Sequence, residues 1–282
     1  MESTLITAQE LAINLEVHLL KKPKEPLLPV SSLPKLNQRI WGLGKGRVII
    51  VAGRTAMGKT ALMSQISCDL AKANNRVVYL SLEMPKEELH TRCFSREFKI
   101  SNNELERGNF DKYLGQYKHF VNSMQSFPLK YSECIGMNWK QIDEMINACE
   151  INKPQAIVID HINHIKTSGI NDKAVIDDYL TNILTLSRKH NITFIIGAQI
   201  NRISQNEKNT YPELHHLKGT GRLEEIADMV LLLYWPYYYD NRKPLDGYQI
   251  IIGKNRYGSM GVHECRFQPQ YSLFEEVIAD ER

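Results

Sequence analysis

Eight consecutive residues, Gly53-Arg54-Thr55-Ala56-Met57-Gly58-Lys59-Thr60, carry the spacing G-x-x-x-x-G-K-T. Glycine lets a backbone wrap closely around an anion, and the exposed amide groups donate to its oxygens. A helix starting near Lys59 aims the positive end of its dipole at the same anion. Lys59 then reaches the β- and γ-phosphates of a nucleoside triphosphate, and Thr60 offers a hydroxyl to Mg²⁺. The predicted cradle is Gly53, Arg54, Thr55, Ala56, Met57, Gly58, Lys59, Thr60 and Ala61. It sits between an apolar run, Val48–Ala52, and an amphipathic stretch, the context that such a loop requires.

A triphosphate site needs a second metal ligand, and Asp160 ends the apolar run Ala156–Ile159 as a Walker B aspartate does. Glu83 follows Val77–Leu82, and Gln199 ends Thr193–Ala198. Ligands of open α/β sheets bind beyond the carboxyl ends of the strands, so these groups are expected in one crevice. Phosphoryl transfer asks little covalent work of a protein; it asks for a positioned water and neutralised charge. Glu83 is the expected group to orient and deprotonate the water, and Gln199 the neutral donor to the γ-phosphate.

The elements follow from pattern. Strands are predicted over Val48–Ala52, Val77–Leu82, Leu129–Ser132, Ala156–Asp160, Thr193–Gln199, Asp228–Tyr234, Tyr248–Lys254 and Val262–Phe267. Helices are predicted over Lys59–Ala73, Lys86–Phe98, Phe110–Gln125, Trp139–Glu150 and Lys173–His190. The early strands are near-continuous apolar runs, as strands covered on both faces are. Their alternation with helices predicts a mainly parallel twisted sheet with helices on both faces. The last two strands, close together across Asn255–Gly261, read as an antiparallel hairpin. Residues 1–20 read as a short amphipathic helix able to dock on a neighbouring subunit. KKPKEPLLPVSSLPK reads as an extended linker because of its four prolines. The expected division is a helix and linker over 1–30 and one motor domain over 31–282.

The chain has 282 residues, 43% hydrophobic and 24% charged, an ordinary globular balance. No apolar run approaches the roughly 18 residues that span a bilayer, and the N-terminus carries no signal-peptide pattern, so no membrane association is expected. The five cysteines, with no C-x-x-C pair, read as free thiols in a reducing cytoplasm. A net charge of +3 leaves nucleic-acid binding to local basic stripes. His161 and His164 lie on a strand end entering a loop, His215 and His216 cannot share a helical face, and no zinc site is assigned. The aromatic run Tyr234–Tyr239 reads as packing at a strand end rather than base stacking.

Taken together, SLEM (Ser81–Met84), GRTAMGKT, IVIDH and AQINR (Ala198–Arg202) resemble the motor domain of DnaB-type replicative helicases. So do Leu33–Gly46 with its Trp41-Gly42-Leu43, the stretch Leu217–Asp228, and Gly253-Lys254-Asn255-Arg256-Tyr257-Gly258. The resemblance covers about residues 31–270 in the family's order. It implies a RecA-like fold, a hexameric ring of copies around single-stranded DNA, and ATP with Mg²⁺ at each subunit interface. It also implies that Lys254 and Arg256 reach a neighbour's γ-phosphate, the chemistry of an arginine finger. Lys218, Gly219, Thr220 and Gly221 match a channel loop that follows the DNA backbone, although the family usually has an acid where Gly219 stands. Arg202 and Lys208 belong to a second loop, Arg202–Tyr211, which reads either as a solvated loop or as a second channel element. Such helicases carry an N-terminal collar that recruits primase; here roughly thirty residues precede the motor, so contacts to other replication proteins are expected to differ. A RecA-like regulatory or recombination ATPase that binds DNA or a helicase without unwinding is the alternative. A small-molecule kinase fits poorly, because it needs no cations delivered in trans.

Overall fold

A computed structural model describes residues 7–20, 28–150, 153–166, 172–201, 211–217 and 221–277. The strands are β1 (Val48–Gly53), β2 (Val77–Ser81), β3 (Leu129–Glu133), β4 (Ala156–Asp160), β5 (Thr193–Gln199), β6 (Met229–Tyr234), β7 (Gly247–Asn255), β8 (Gly261–Gln268) and β9 (Leu273–Glu276). They form one sheet in the order β3-β2-β4-β5-β1-β6-β7-β8-β9. From β3 to β6 every pairing is parallel; from β6 to β9 every pairing is antiparallel.

The helices are α1 (Ala8–Leu20), α2 (Pro34–Ile40), α3 (Lys59–Lys72), α4 (Lys86–Phe98), α5 (Asn102–Glu106), α6 (Leu114–Ser123), α7 (Trp139–Glu150), α8 (Asp172–His190), α9 (Gly221–Ile226) and α10 (Pro236–Tyr239). Because side chains alternate across a strand, β1 feeds two cores. Val48, Ile50 and Ala52 pack with Ile142 and Ile146 of α7, Leu180 and Ile183 of α8, and Leu223 and Ile226 of α9. Ile49 and Val51 pack on the other face with Leu36 and Ile40 of α2, Leu62, Ile66 and Leu70 of α3, and Leu89 of α4. The central strands read as unbroken apolar runs because both faces are covered.

Two expectations need correction. Within the stretch read as an extended linker, Leu28, Val30 and Leu33 are buried in the second core, and Pro34 opens α2. Proline is tolerated there because the first turn has no partner for its missing N–H. The helix expected over Phe110–Gln125 is divided into a 3₁₀ segment, Asn109–Tyr113, and α6. The expected C-terminal antiparallel hairpin is present as β7 and β8, and it belongs to a four-stranded antiparallel half, with β9 added after a turn at Pro269–Tyr271.

One buried acid ties the halves together. Asp228 is fully buried; its Oδ2 accepts from Val48 N–H (2.9 Å), and both its oxygens accept from Arg188 Nη2 (2.7 and 2.8 Å). Asp228→Ala strands a buried amide and removes the partner of Arg188, so unfolding is expected about 3 kcal/mol easier, read from the urea midpoint.

Candidate nucleotide site

β1 delivers the chain into the phosphate loop at the carboxyl end of the parallel sheet. The turn is held open by left-handed residues, Ala56 at φ 64° and Gly58 at φ 76°. A Cβ on Gly58 would stand 3.0 Å from Phe267 and 3.1 Å from Phe274, so the loop rests on the antiparallel half. Tyr248 of β7 donates its hydroxyl to the Met57 carbonyl in the same loop.

Lys59 lies within this turn, its ammonium donating to the carbonyls of Gly53 (3.1 Å) and Arg54 (3.0 Å). Burial lowers its pKa, and the negative charges of Asp160 and Glu83 oppose that shift. Asp160 ends β4 and Glu83 follows the neighbouring strand β2, both at this same end of the sheet. Asp160 is buried, and its Oδ2 accepts from Tyr79 Oη at 2.6 Å. Burial raises its pKa; the Tyr79 hydroxyl and the Thr60 side chain pull it back. Its Oδ1 is buried without a hydrogen-bond partner among the described residues. A buried carboxylate oxygen left open beside a threonine hydroxyl fits a hard cation that accepts oxygen ligands, as Mg²⁺ does.

Glu83 follows β2, and His161 follows β4, its sheet neighbour, where Ser81 pairs with Asp160. Glu83 is half exposed. Its Oε2 lies 3.2 Å from His161 Nε2 and 3.5 Å from His164 Nε2. The histidine pair set aside on sequence thus meets a carboxylate. A 3₁₀ turn over Ile162–His164 curls the chain back and brings the two imidazole centroids to 4.2 Å. Gln199 ends β5, beside Gly53 in register. Its side-chain amide donates to Thr55 Oγ1 at 3.0 Å, and its backbone N–H donates to Asn163 Oδ1 at 2.7 Å.

The aromatic run at the end of β6 packs there. Tyr234 stacks on Tyr239, and Trp235 meets Phe267 edge-on. Arg54 lies over the rings of Tyr238 and Tyr239 at 5.5 and 5.6 Å, a contact that spacing did not reveal.

Lys254 and Arg256 stand elsewhere. Asn255 pairs with Met229, which follows Val48's partner Asp228 at the amino end of the parallel strands. The hairpin tip is thus at the opposite end of the sheet from the phosphate loop. Arg256 Nη2 donates to the Glu225 carbonyl at 2.9 Å, and Nη1 lies 3.7 Å from Asp228 Oδ1. Lys254 donates to the Glu224 carbonyl; burial and then the Arg256 charge lower its pKa. Tyr257 is pinned under Arg47, whose guanidinium sits 3.7 Å from the ring centroid. Of the expected DNA-contacting residues, Gly221 is exposed at the start of α9. Arg202, Lys208, Lys218, Gly219 and Thr220 lie outside the described residues.

A family model, the DnaB-like helicase C-terminal domain, matches residues 30–276. The chain belongs to the DnaB-like helicase C-terminal domain family. A probable replicative DNA helicase of Trieres chinensis is 28% identical over 270 residues, covering 91% of this chain and 59% of that protein. The replicative DNA helicase DnaC of Bacillus subtilis is 26% identical, covering 85% of this chain and 54% of its own length. This DnaB-like domain therefore spans between half and three-fifths of these relatives. A solved ATPase domain matches it with a TM-score of 0.87 at 20% identity, covering 98% of this chain and all of that one. A DnaB-like replicative helicase solved for its interactions with primase matches with a TM-score of 0.86 at 20% identity, over 97% of this chain and 69% of that one. Those two likenesses establish the RecA-like fold. Among the described residues no helix is long and apolar enough to cross a membrane.

Proposed function

We propose that this chain is the motor of a DnaB-type helicase, hydrolysing ATP at interfaces between copies and moving on single-stranded DNA. The observation that carries the reading is the division of charge along the sheet. Lys59, Thr60, Asp160, Glu83 and Gln199 gather at one end, and Lys254 and Arg256 stand at the other. Those cations cannot complete their own chain's site, so they complete a neighbour's.

In this reading the motor begins at Leu28, which is already buried in the second core, and α1 precedes it. Amides of Gly53–Ala61 and the Lys59 ammonium bind the triphosphate. Thr60 Oγ1 and Asp160 would hold Mg²⁺, which would supply charge neutralisation to the triphosphate. Glu83 takes the proton of the attacking water. Gln199 exchanges its Thr55 contact for the γ-phosphate and, through its backbone link to Asn163, ties that phosphate to the turn after β4. Arg256 and Lys254 of the next copy stabilise the charge spreading over the transferred group. Leu11, Leu15 and Leu20 of α1 are 58%, 51% and 79% exposed and suit docking on a neighbour in a hexameric ring. Arg202, Lys218, Gly219 and Gly221 face the DNA backbone in the channel, where amides and cations follow phosphates without reading bases.

The test is ATPase activity with and without single-stranded DNA, alongside displacement of an annealed strand. Stimulation by DNA with displacement in a single polarity is expected. Stimulation without displacement would leave a RecA-like ATPase that binds DNA or a helicase, and no stimulation would defeat the reading.

A further inference from the structure

Phosphoryl transfer uses Glu83 but gives no task to His161 and His164, which cluster with it. Their nearest ligand atoms all lie within 4.8 Å of one another. The two carboxylate–imidazole separations are 3.2 and 3.5 Å. Two ligands on a tetrahedral zinc, each bonded at about 2.0–2.1 Å, stand about 3.3 Å apart. Oxygen and nitrogen atoms already at that spacing need little movement to close on an ion.

The scaffold is stiff where it must be and open where an ion must enter. His161 sits directly after β4, with its side chain 7% exposed. Leu82 N–H donates to the Asp160 carbonyl at 2.7 Å, locking the approach to Glu83 against the residue before His161. The turn carrying His164 is fastened to β5 through Asn163. Glu83 and His164 themselves are 48% and 43% exposed, which leaves a route from solvent.

The geometry points to a binding site for a borderline-soft divalent transition-metal ion, zinc above all, on Glu83, His161 and His164. Two imidazoles and one carboxylate leave a fourth position for water. This donor set differs from the all-oxygen pair of Thr60 and Asp160. Imidazole selects zinc, cobalt or nickel, whereas Mg²⁺ takes oxygen ligands. An ion here binds the Glu83 carboxylate, which then accepts no proton from water. Zinc therefore switches hydrolysis off and leaves nucleotide binding intact. That last consequence rests on Glu83 acting as the base; the site itself does not.

The experiment uses the full chain, free of nucleotide, titrated with Co²⁺ and then Zn²⁺. Expected is an intense visible absorption of four-coordinate cobalt, without sulfur charge transfer, abolished by Zn²⁺ and indifferent to millimolar Mg²⁺. His164→Ala and, as a milder change, His164→Gln should lose the band and weaken zinc affinity at least tenfold. With Mg²⁺ and ATP, zinc should inhibit the native chain, while His164→Ala, measured against its own zinc-free rate, should resist inhibition. Only weak six-coordinate absorption would overturn the site. So would sulfur charge transfer, which puts the ion on cysteines such as Cys68 and Cys93, whose sulfurs lie 3.6 Å apart, and so would inhibition insensitive to His164→Ala, which puts it in place of Mg²⁺. A His164-dependent band without loss of ATPase activity would uphold the site and instead refute the role given to Glu83.

Discussion

Replacing Glu83 by glutamine is expected to lower the rate of ATP hydrolysis by about 10²–10⁴-fold and to leave nucleotide affinity nearly unchanged. The substitution keeps shape and hydrogen-bonding reach but removes the group that takes a proton. The binding elements are elsewhere. Lys59 already points into the phosphate turn, and Asp160 stays anchored by Tyr79. Glutamine's carbonyl can still accept from His161 or His164, so the strand ends that carry them should keep their places. The decisive measurement is single-turnover hydrolysis set beside binding of a fluorescent nucleotide, because a fall in kcat without a matching loss of affinity marks an interaction made in the transition state. Near-native turnover would move the role of base to another residue.

Arg256→Ala is expected to act as strongly, by about 10³-fold or more, and by a different route. Ile49 pairs with Met229 and Met229 with Asn255, whereas the phosphate loop begins at Gly53. Four residues of strand therefore separate the two ends, roughly 13 Å of rise before any side chain is counted. No rotamer returns Arg256 to its own loop. In this chain its guanidinium rests on the Glu225 carbonyl and near Asp228, contacts that a γ-phosphate would have to outbid. A carbonyl and a distant, already paired carboxylate are weaker partners than a triphosphate, so the exchange is favourable when a neighbour presents one. The test mixes Arg256→Ala with Lys59→Ala subunits, each inactive alone. Mixed assemblies contain interfaces with one intact phosphate loop and one intact arginine, and should recover part of the activity. Lack of recovery would argue that Arg256 works within its own chain or only structurally.

Sequence made the phosphate loop, Asp160, Glu83 and Gln199 legible for one reason. Each follows a strand directly, and in a parallel sheet every strand end of that kind faces the same side. Strand boundaries were readable within about a residue because both faces of the sheet are covered. What escaped depends on chain reversal over short distances. The 3₁₀ turn at Ile162–His164 has no periodic signature, so the meeting of His164 with Glu83 was hidden although both residues were noticed. β9 is only four residues long and follows a proline turn, too little for alternation to register. Leu28, Val30 and Leu33 were masked by their prolines. Their burial is a matter of tertiary packing against α3 and β9, which no local pattern encodes.

β7 covers nine residues, about 30 Å, with a bulge at Gly253 in its pairing with β6, between two very different tasks. Near its start, Tyr248 grips the floor of the phosphate turn at Met57; at its end stand Lys254 and Asn255, just before Arg256. In the assembly we propose, a phosphate seated in the turn that rests on Tyr248, Phe267 and Phe274 is thus joined, through one strand, to the cations offered to the next copy.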